Sequence, residues 1–325
     1  MSGDPHLFNF SHAIRKIDLS RDLFQVADLI ELCFPIHEDP DGQTYIREMR
    51  KIARDMQYLG WLNWLSAMRT TKATGFVWEE DGRIIGNLHL IPFRHRGKTI
   101  YLIANVAVHP SHRRRGIGRA LTQHALGALR RYGEKETWLQ VRDDNSSAIN
   151  LYHSLGFENR AVRSTWRIYP RDFIFKNPSD GVTLQQKSRR SDDWGIQKDW
   201  LFKTYPDPIR WNLPLNFDRL KPGISQKISN VLDGVLLRQW SYLVDGECQG
   251  VISEQKTDAF AHNLWLAFPE EREALFLPGA LSKLMMKLQK THPFSVDYPK
   301  GRFQTQFHEL GFTHFRTLIW MSYRL

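Results

Sequence analysis

Apolar positions along the chain change spacing several times, and each change marks a strand or a helix. Residues 14–19 (IRKIDL) predict a first strand. Ser20 is a candidate N-cap for a helix with Leu23, Val26, Ala27 and Ile30 on one face, stopped at Pro35. His37 through Gly42 has turn chemistry; a second helix is expected over about 43–56, then a Trp-rich stretch around Trp61 and Trp64. A hairpin follows, Gly75–Glu79 and Ile84–Pro92 about an Asp81-Gly82 turn, then a long apolar strand, Thr99–Val108. Ile117, Leu121, Ala125 and Ala128 recur at helical spacing, with Gly133 as the expected stop. A strand over 137–142, a short helix over 146–155 closed by Gly156 and a strand over 157–168 complete the first half. Pro170–Gly181 has the composition of a linker.

The second half repeats parts of the first. Tyr152-His153-Ser154-Leu155-Gly156-Phe157 matches Phe307-His308-Glu309-Leu310-Gly311-Phe312, and a tryptophan (Trp166, Trp320) follows each. Upstream, Asp81-Gly82-Arg83-Ile84-Ile85-Gly86 matches Asp245-Gly246-Glu247-Cys248-Gln249-Gly250. Two matches in one order, at similar separations, imply a tandem duplication with a diverged second copy. The expected domains are 1–170 and 183–325, joined by a linker over 171–182.

The composition supports a globular chain of 325 residues, 42% hydrophobic and 25% charged. No stretch approaches the roughly 18 consecutive apolar residues that span a bilayer. The N-terminal residues carry no secretory pattern, and the two cysteines, Cys33 and Cys248, lie far apart. A cytoplasmic, metal-free protein, monomer or homodimer, is the expectation. The net charge of +10 is partly concentrated in Arg94-His95-Arg96-Gly97-Lys98 and His112-Arg113-Arg114-Arg115. A basic surface suits nucleic acid, an anionic membrane or a small anionic ligand; the glycines beside the second cluster favour the small anion and make nucleic acid the less favoured partner.

That second cluster sits between a strand and a helix: Val106-Ala107-Val108-His109-Pro110, then Arg113-x-x-Gly116-x-Gly118. First-turn N–H groups of a helix lack intrahelical partners and point at whatever lies on its axis. Glycines allow backbone to approach a pyrophosphate, and Arg114, Arg115 and Arg119 can add charged contacts. No Gly-Lys-Ser/Thr follows, which excludes a Walker loop, and the third glycine of a Rossmann loop is missing. About 30 residues on comes Asn145-Ser146-Ser147-Ala148 with Tyr152 two turns into the helix. Asn145 can cap that helix or bind an amide-bearing ligand, and Tyr152 can be core or functional.

Together, strand V-A-V-x-P, loop R-x-x-G-x-G and N-x-x-A-x-x-x-Y-x-x-x-G-F resemble the GNAT superfamily of acyl-CoA-dependent N-acetyltransferases. The wording is especially close to the ribosomal-protein alanine N-acetyltransferases. The resemblance covers about half the chain, in the cofactor motifs rather than in the acceptor region. It implies an α/β (α+β) fold of two tandem GNAT-like domains, each a mixed, largely antiparallel sheet flanked by helices, the second degenerate. It implies acetyl-CoA as cofactor. Backbone of Val106, Ala107 and Val108 would pair with the pantetheine arm, and Arg113, Arg114, Arg115, Gly116, Ile117, Gly118 and Arg119 would wrap the pyrophosphate. Asn145 would contact the cofactor and Tyr152 would face its sulfur.

The implied reaction is direct attack of a primary amine, on a small molecule or a peptide N-terminus, with Tyr152 as general acid. A phenol of pKa about 10 can protonate the departing thiolate. The proton on the amine is the harder problem. Many relatives carry a glutamate where this chain has Ala104-Asn105, and the alanine-acetylating relatives carry one where it has Gln140. Three readings stay open: a base from the acceptor loop (His37, Glu38 or Asp41), an amine of low pKa or one deprotonated through water, or a pseudoenzyme that senses acyl-CoA. Trp61, Trp64 and Tyr45 lie where the family builds its acceptor wall, although aromatic residues there also serve as core. His153 and His308 read as packing or caps, and His109 and His112 as groups beside the phosphate loop. In the second copy Phe307 stands at the tyrosine position, and Glu271–Ala280 is the expected degenerate loop, with Phe276 and Pro278 near the glycine positions. That copy is expected to hold no cofactor.

Overall fold

The computed structural model describes residues 13–70, 74–175, 183–288 and 291–325, and for residues 56–70 the backbone alone. The side chains of Trp61 and Trp64 and residues 176–182 of the expected linker lie outside the described residues. The chain divides into unit 1, Met1–Asn159 with Met321–Leu325, and unit 2, Arg160–Trp320.

Unit 1 begins with β1 (Ile14–Lys16) and α1 (Leu19–Cys33). The cap of α1 is Asp18, whose carboxylate accepts from the Ser20 N–H, so Ser20 lies inside the helix that it was expected to start. A short 3-10 turn, Ile36–Glu38, leads into α2 (Pro40–Thr70). This helix absorbs part of the expected turn and the Trp-rich stretch: Pro40 at its first position lacks the N–H that a first turn leaves unpaired anyway. Then come β2 (Thr74–Glu80), β3 (Arg83–His95), β4 (Lys98–Val108), α3 (Ile117–Arg131), β5 (Glu136–Arg142) and α4 (Ser146–Ser154). The strands lie in sequence order, antiparallel except for the parallel pair β4–β5. Leu23, Val26, Ala27 and Ile30 of α1 pack with Ile46 and Met49 of α2 on Val77, Ile84 and Ala107 of the sheet. Gly86 lets α3 close on β3, since a Cβ there would lie 2.9 Å from Ile117 Cγ2.

Residues Met321–Leu325 complete this unit. The Leu325 N–H donates to Lys135 O, Arg130 donates to the Tyr323 hydroxyl, and the Tyr323 ring lies 5.2 Å from Phe157.

Unit 2 holds β6 (Glu158–Ile168, from Arg160), β7 (Gln185–Ser188), α5 (Trp194–Thr204), α6 (Asp207–Arg210), α7 (Ile224–Leu232), β8 (Leu236–Val244), β9 (Glu247–Lys256) and β10 (His262–Ala267). It continues with α8 (Glu273–Lys287), β11 (Phe294–Pro299), α9 (Gln304–Glu309) and β12 (Thr313–Arg324, to Trp320). The order β6-β11-β10-β9-β8-β7 is antiparallel except for the parallel pair β10–β11. The division therefore falls at Asn159–Arg160 and not in the stretch 171–182. Its cause is the register Arg163↔Pro299 to Ile168↔Phe294, which commits β6 to β11.

Each unit is a mixed, largely antiparallel α/β sheet, and the two share fine detail. Asp81-Gly82 and Asp245-Gly246 both turn with positive φ, as type I′ hairpins require. Each hairpin carries one bulge opposite its first strand's Trp78/Glu79 or Tyr242/Leu243, with the extra residue, Ile85 or Gln249, on the second strand. No helix among the described residues is long and apolar enough to cross a membrane.

Candidate functional site

The parallel pairing of β4 and β5 runs from Tyr101↔Thr137 to Ile103↔Leu139 and stops there. The cause is local to β4. Asn105 adopts φ 51°, and the register with β3 shifts between Asn87 and His89. Such a bulge adds a residue to one strand and bends it. Ala104–Val108 thus keeps its partner β3 while its edge toward β5 is left open. A backbone edge of that kind can pair with an extended, amide-bearing arm.

At the end of β4 the chain makes a 3-10 turn, Pro110–His112, and enters α3 through Arg114 (φ 67°) and Gly116 (φ 80°, the N-cap). Gly116 supplies no side chain to its own helix, so the first N–H groups of α3 stay available. Gly118, in the first turn, lies against α4: a Cβ there would stand 3.5 Å from Leu151 Cδ2 and 3.8 Å from Val108 Cγ2. Arg119 donates to Ser154 Oγ at 2.6 Å. These two contacts join the glycine loop to the helix that carries Tyr152.

The arginines divide. Arg113 donates to Val108 O, and Arg115 pairs with Glu80 at 2.9 Å. Arg114 is exposed and has no ion-pair partner among the described residues, which leaves it the freest to meet an anion. His109 and His112 both bond Ser111 Oγ, so they stiffen the 3-10 turn. Asn145 caps α4, its Oδ1 accepting from the Ala148 N–H at 3.1 Å, and its amide NH2 remains for a ligand. Tyr152 is buried, edge-on to Phe157, and burial raises its phenol well above the usual value. His153 Nδ1 meets Phe157 O, a packing contact.

Sequence reasoning missed a neutral polar chain at the bulge. The Asn105 amide donates to the Tyr45 hydroxyl at 2.8 Å and meets His89 Nδ1 at 3.1 Å, and Asn87 donates to Asn105 O at 2.9 Å. Asn87 and His89 are buried on one face of β3, and burial holds His89 down to about 4, so it is neutral. Two polar residues at i and i+2 in the otherwise apolar stretch 84–93 of that strand were the available signal. Near the end of β5, Arg142 pairs with Asp144 and feels the charges of Glu38 and Asp143. Glu38, one of the acceptor-loop candidates, is thus tied electrostatically to the strand end.

The profile of the Acetyltransferase (GNAT) family matches residues 25–157, the stretch that carries all of these groups. Residues 25–157 therefore match a GNAT acetyltransferase domain. The [ribosomal protein bS18]-alanine N-acetyltransferase of Escherichia coli (strain K12) is 44% identical over 66 residues, 20% of this chain and 43% of that enzyme. An N-alpha-acetyltransferase of Sulfurisphaera tokodaii is 36% identical over 108 residues, 29% of this chain and 62% of the relative. The match thus spans less than half of the first relative and about three fifths of the second. A GCN5-related N-acetyltransferase from Sphaerobacter thermophilus shares the fold across 96% of this chain and 95% of its own, at 14% identity and TM-score 0.56. The GNAT fold therefore extends beyond the GNAT domain itself into unit 2.

Unit 2 corrects one expectation. Glu271–Ala280 is not a loop: the 3-10 turn Glu270–Arg272 passes directly into α8, and Phe276 and Pro278 lie within the helix. The four residues between the 3-10 turn and α3, Arg113–Gly116, have no counterpart ahead of α8. Glu273 opens α8, buried, and accepts from the Tyr298 hydroxyl at 2.8 Å and from Arg302 at 2.6 Å. The first turn of α8 thus already carries a negative charge of its own. Phe307 is fully buried and stacks on Trp166 at 5.4 Å.

Proposed function

We propose that this protein transfers an acetyl group from acetyl-CoA to a primary amine, on a small molecule or a peptide N-terminus. The observation that carries the reading is the contact between the two motifs, Gly118 on Leu151 and Arg119 on Ser154, beside the open edge of β4. The residues fit the cofactor. The first turn of α3 with Arg114 takes the pyrophosphate, Val106–Val108 pairs with the pantetheine amides, and Asn145 offers its free NH2. Acetyl-CoA supplies the activated acyl group as a thioester.

In this reading the amine nitrogen attacks the thioester carbonyl, and backbone N–H groups of Val106–Val108 stabilise the oxygen as it gains charge. The C–S bond breaks and Tyr152 gives its proton to the sulfur. Burial raises the Tyr152 pKa, which keeps the proton in place at neutral pH and above. With Ala104, Asn105 and Gln140 at the family's carboxylate positions, the amine loses its proton to water or to Glu38. Unit 2 is proposed as a degenerate copy without cofactor, because Glu273 repels a pyrophosphate and Phe307 has no proton to give.

Incubation with acetyl-CoA and a panel of primary amines, followed by free thiol, tests the reading. At least one amine is expected to release CoA thiol. If acetyl-CoA raises the melting temperature and no amine turns over, the protein is an acyl-CoA sensor. Calorimetric titration is expected to find one acetyl-CoA per chain; two per chain would overturn the reading of unit 2.

A further inference from the structure

Resting on the transfer reaction above, we infer that the Tyr45 hydroxyl contacts the acceptor and donates a hydrogen bond to a carbonyl oxygen next to the reacting amine. Asn105 and His89 act through it as positioning residues. The acceptor class is then an amino-acyl amide or a peptide N-terminus, in preference to a simple alkylamine.

The argument starts from the hydrogen bonds. A tyrosine hydroxyl has one proton to give and lone pairs to receive. The Asn105 NH2 donates to the Tyr45 oxygen and directs its second N–H to His89 Nδ1. That use of Asn105 leaves the Tyr45 proton unspent, and no acceptor takes it among the described residues. Tyr45 lies in the second turn of α2 and is 42% exposed, so the proton is presented to solvent beside the site.

The placement follows from the strand. Asn105 is the positive-φ residue of the bulge that opens β4 from β5, and it immediately precedes Val106 of the proposed pantetheine segment. His89 is locked from the other side: a Cβ at Gly75 would lie 3.2 Å from His89 Cδ2, and Leu88 O would be closer still. The anchor of the chain is therefore rigid and buried while its far end faces outward. The chain is also uncharged from end to end: a neutral imidazole, an amide and a phenol. A free carboxylate would call for a cation here, whereas a neutral carbonyl oxygen needs only one donor.

The test compares alaninamide with isopropylamine, which keeps the carbon frame and lacks the carboxamide. The readout is the ratio of their kcat/KM values in the unmodified protein and in Tyr45→Phe. The preference for alaninamide is expected to fall about three- to tenfold, the worth of one neutral hydrogen bond, and to do so through KM. Asn105→Ala should lose the same preference, and the double variant should lose no more than either single one. Acetyl-CoA binding, measured on each variant, reports whether the site is folded. A preference unchanged in Tyr45→Phe, or losses that add in the double variant, would overturn this inference while leaving the transferase reading intact, as would turnover of alkylamines without turnover of alaninamide. No turnover with any amine would overturn both.

Discussion

Tyr152→Phe should lower kcat by about a hundredfold or more while acetyl-CoA still binds, the range in which a positioned proton donor acts. The substitution keeps the ring that packs edge-on to Phe157 and removes a single oxygen. Because the side chain is buried, the loss of an interior hydroxyl also tests packing, and the unchanged ring shape makes a stability loss small. The pH profile adds a second check. A general acid works below its own pKa, and burial raises that of Tyr152 above the ordinary phenol value. The rate of the unmodified protein should therefore rise as the amine deprotonates, with no fall from Tyr152 until the pH passes about 10. In Tyr152→Phe the rise should persist at a lower level. A rate equal to that of the unmodified protein would remove Tyr152 from the mechanism.

Gly118→Glu should abolish acetyl-CoA binding without harming the fold, an effect opposite in sign on the two properties. A Cβ at Gly118 meets only ordinary contacts with Leu151 and Val108. Replacing a helical glycine gains about 0.5–1 kcal/mol of helix propensity, and an acid in the first turn gains about 0.3–1 kcal/mol from the helix dipole. The unliganded variant should melt no lower than the parent. Its carboxylate, however, would stand in the first turn proposed to hold the pyrophosphate, and juxtaposed like charges cost several kcal/mol, a loss of affinity of about a hundredfold or more. Thermal melting with and without acetyl-CoA reads both effects at once. Binding within a few fold of the parent would mean that the pyrophosphate lies elsewhere. Unit 2 offers the natural comparison, since Glu273 opens α8 in the same fashion.

Much of this was legible in the sequence because it is local. The Asp81-Gly82 hairpin, the amphipathic face of α3 and the paired motifs each sit within one stretch, where spacing alone reports structure. Other features depend on groups that meet only in three dimensions. Asp18 outcompeted Ser20 as a cap because both suit the role and tertiary contacts decide between them. The length of α2 was hidden by Trp61 and Trp64, which break a simple polar–apolar period. The chain from His89 through Asn105 to Tyr45 joins three elements across a bulge whose register no pattern of residues announced. Glu271–Ala280 was read as a loop by analogy with its glycine-bearing counterpart, yet without those glycines the same stretch continues as helix. The boundary at Asn159 was misplaced for a related reason. Linker composition at Pro170–Gly181 is a local signal, whereas the commitment of β6 to β11 is a long-range one.

The membership of Met321–Leu325 in unit 1 sets an order of assembly. Phe157 and Gly156 face Tyr323, and Lys135 O awaits the N–H of Leu325, so the first unit has a place that its own continuous stretch cannot fill. A ribosome must deliver all of residues 160–320 before that place is taken. Until then the segment bearing Tyr152 adjoins an unfinished edge, and contacts of such sequence separation form late and slowly. On the proposed reading, acetyl-transfer competence would thus appear only after the second unit has been made, which would give a copy proposed to lack chemistry of its own a part in the maturation of the first.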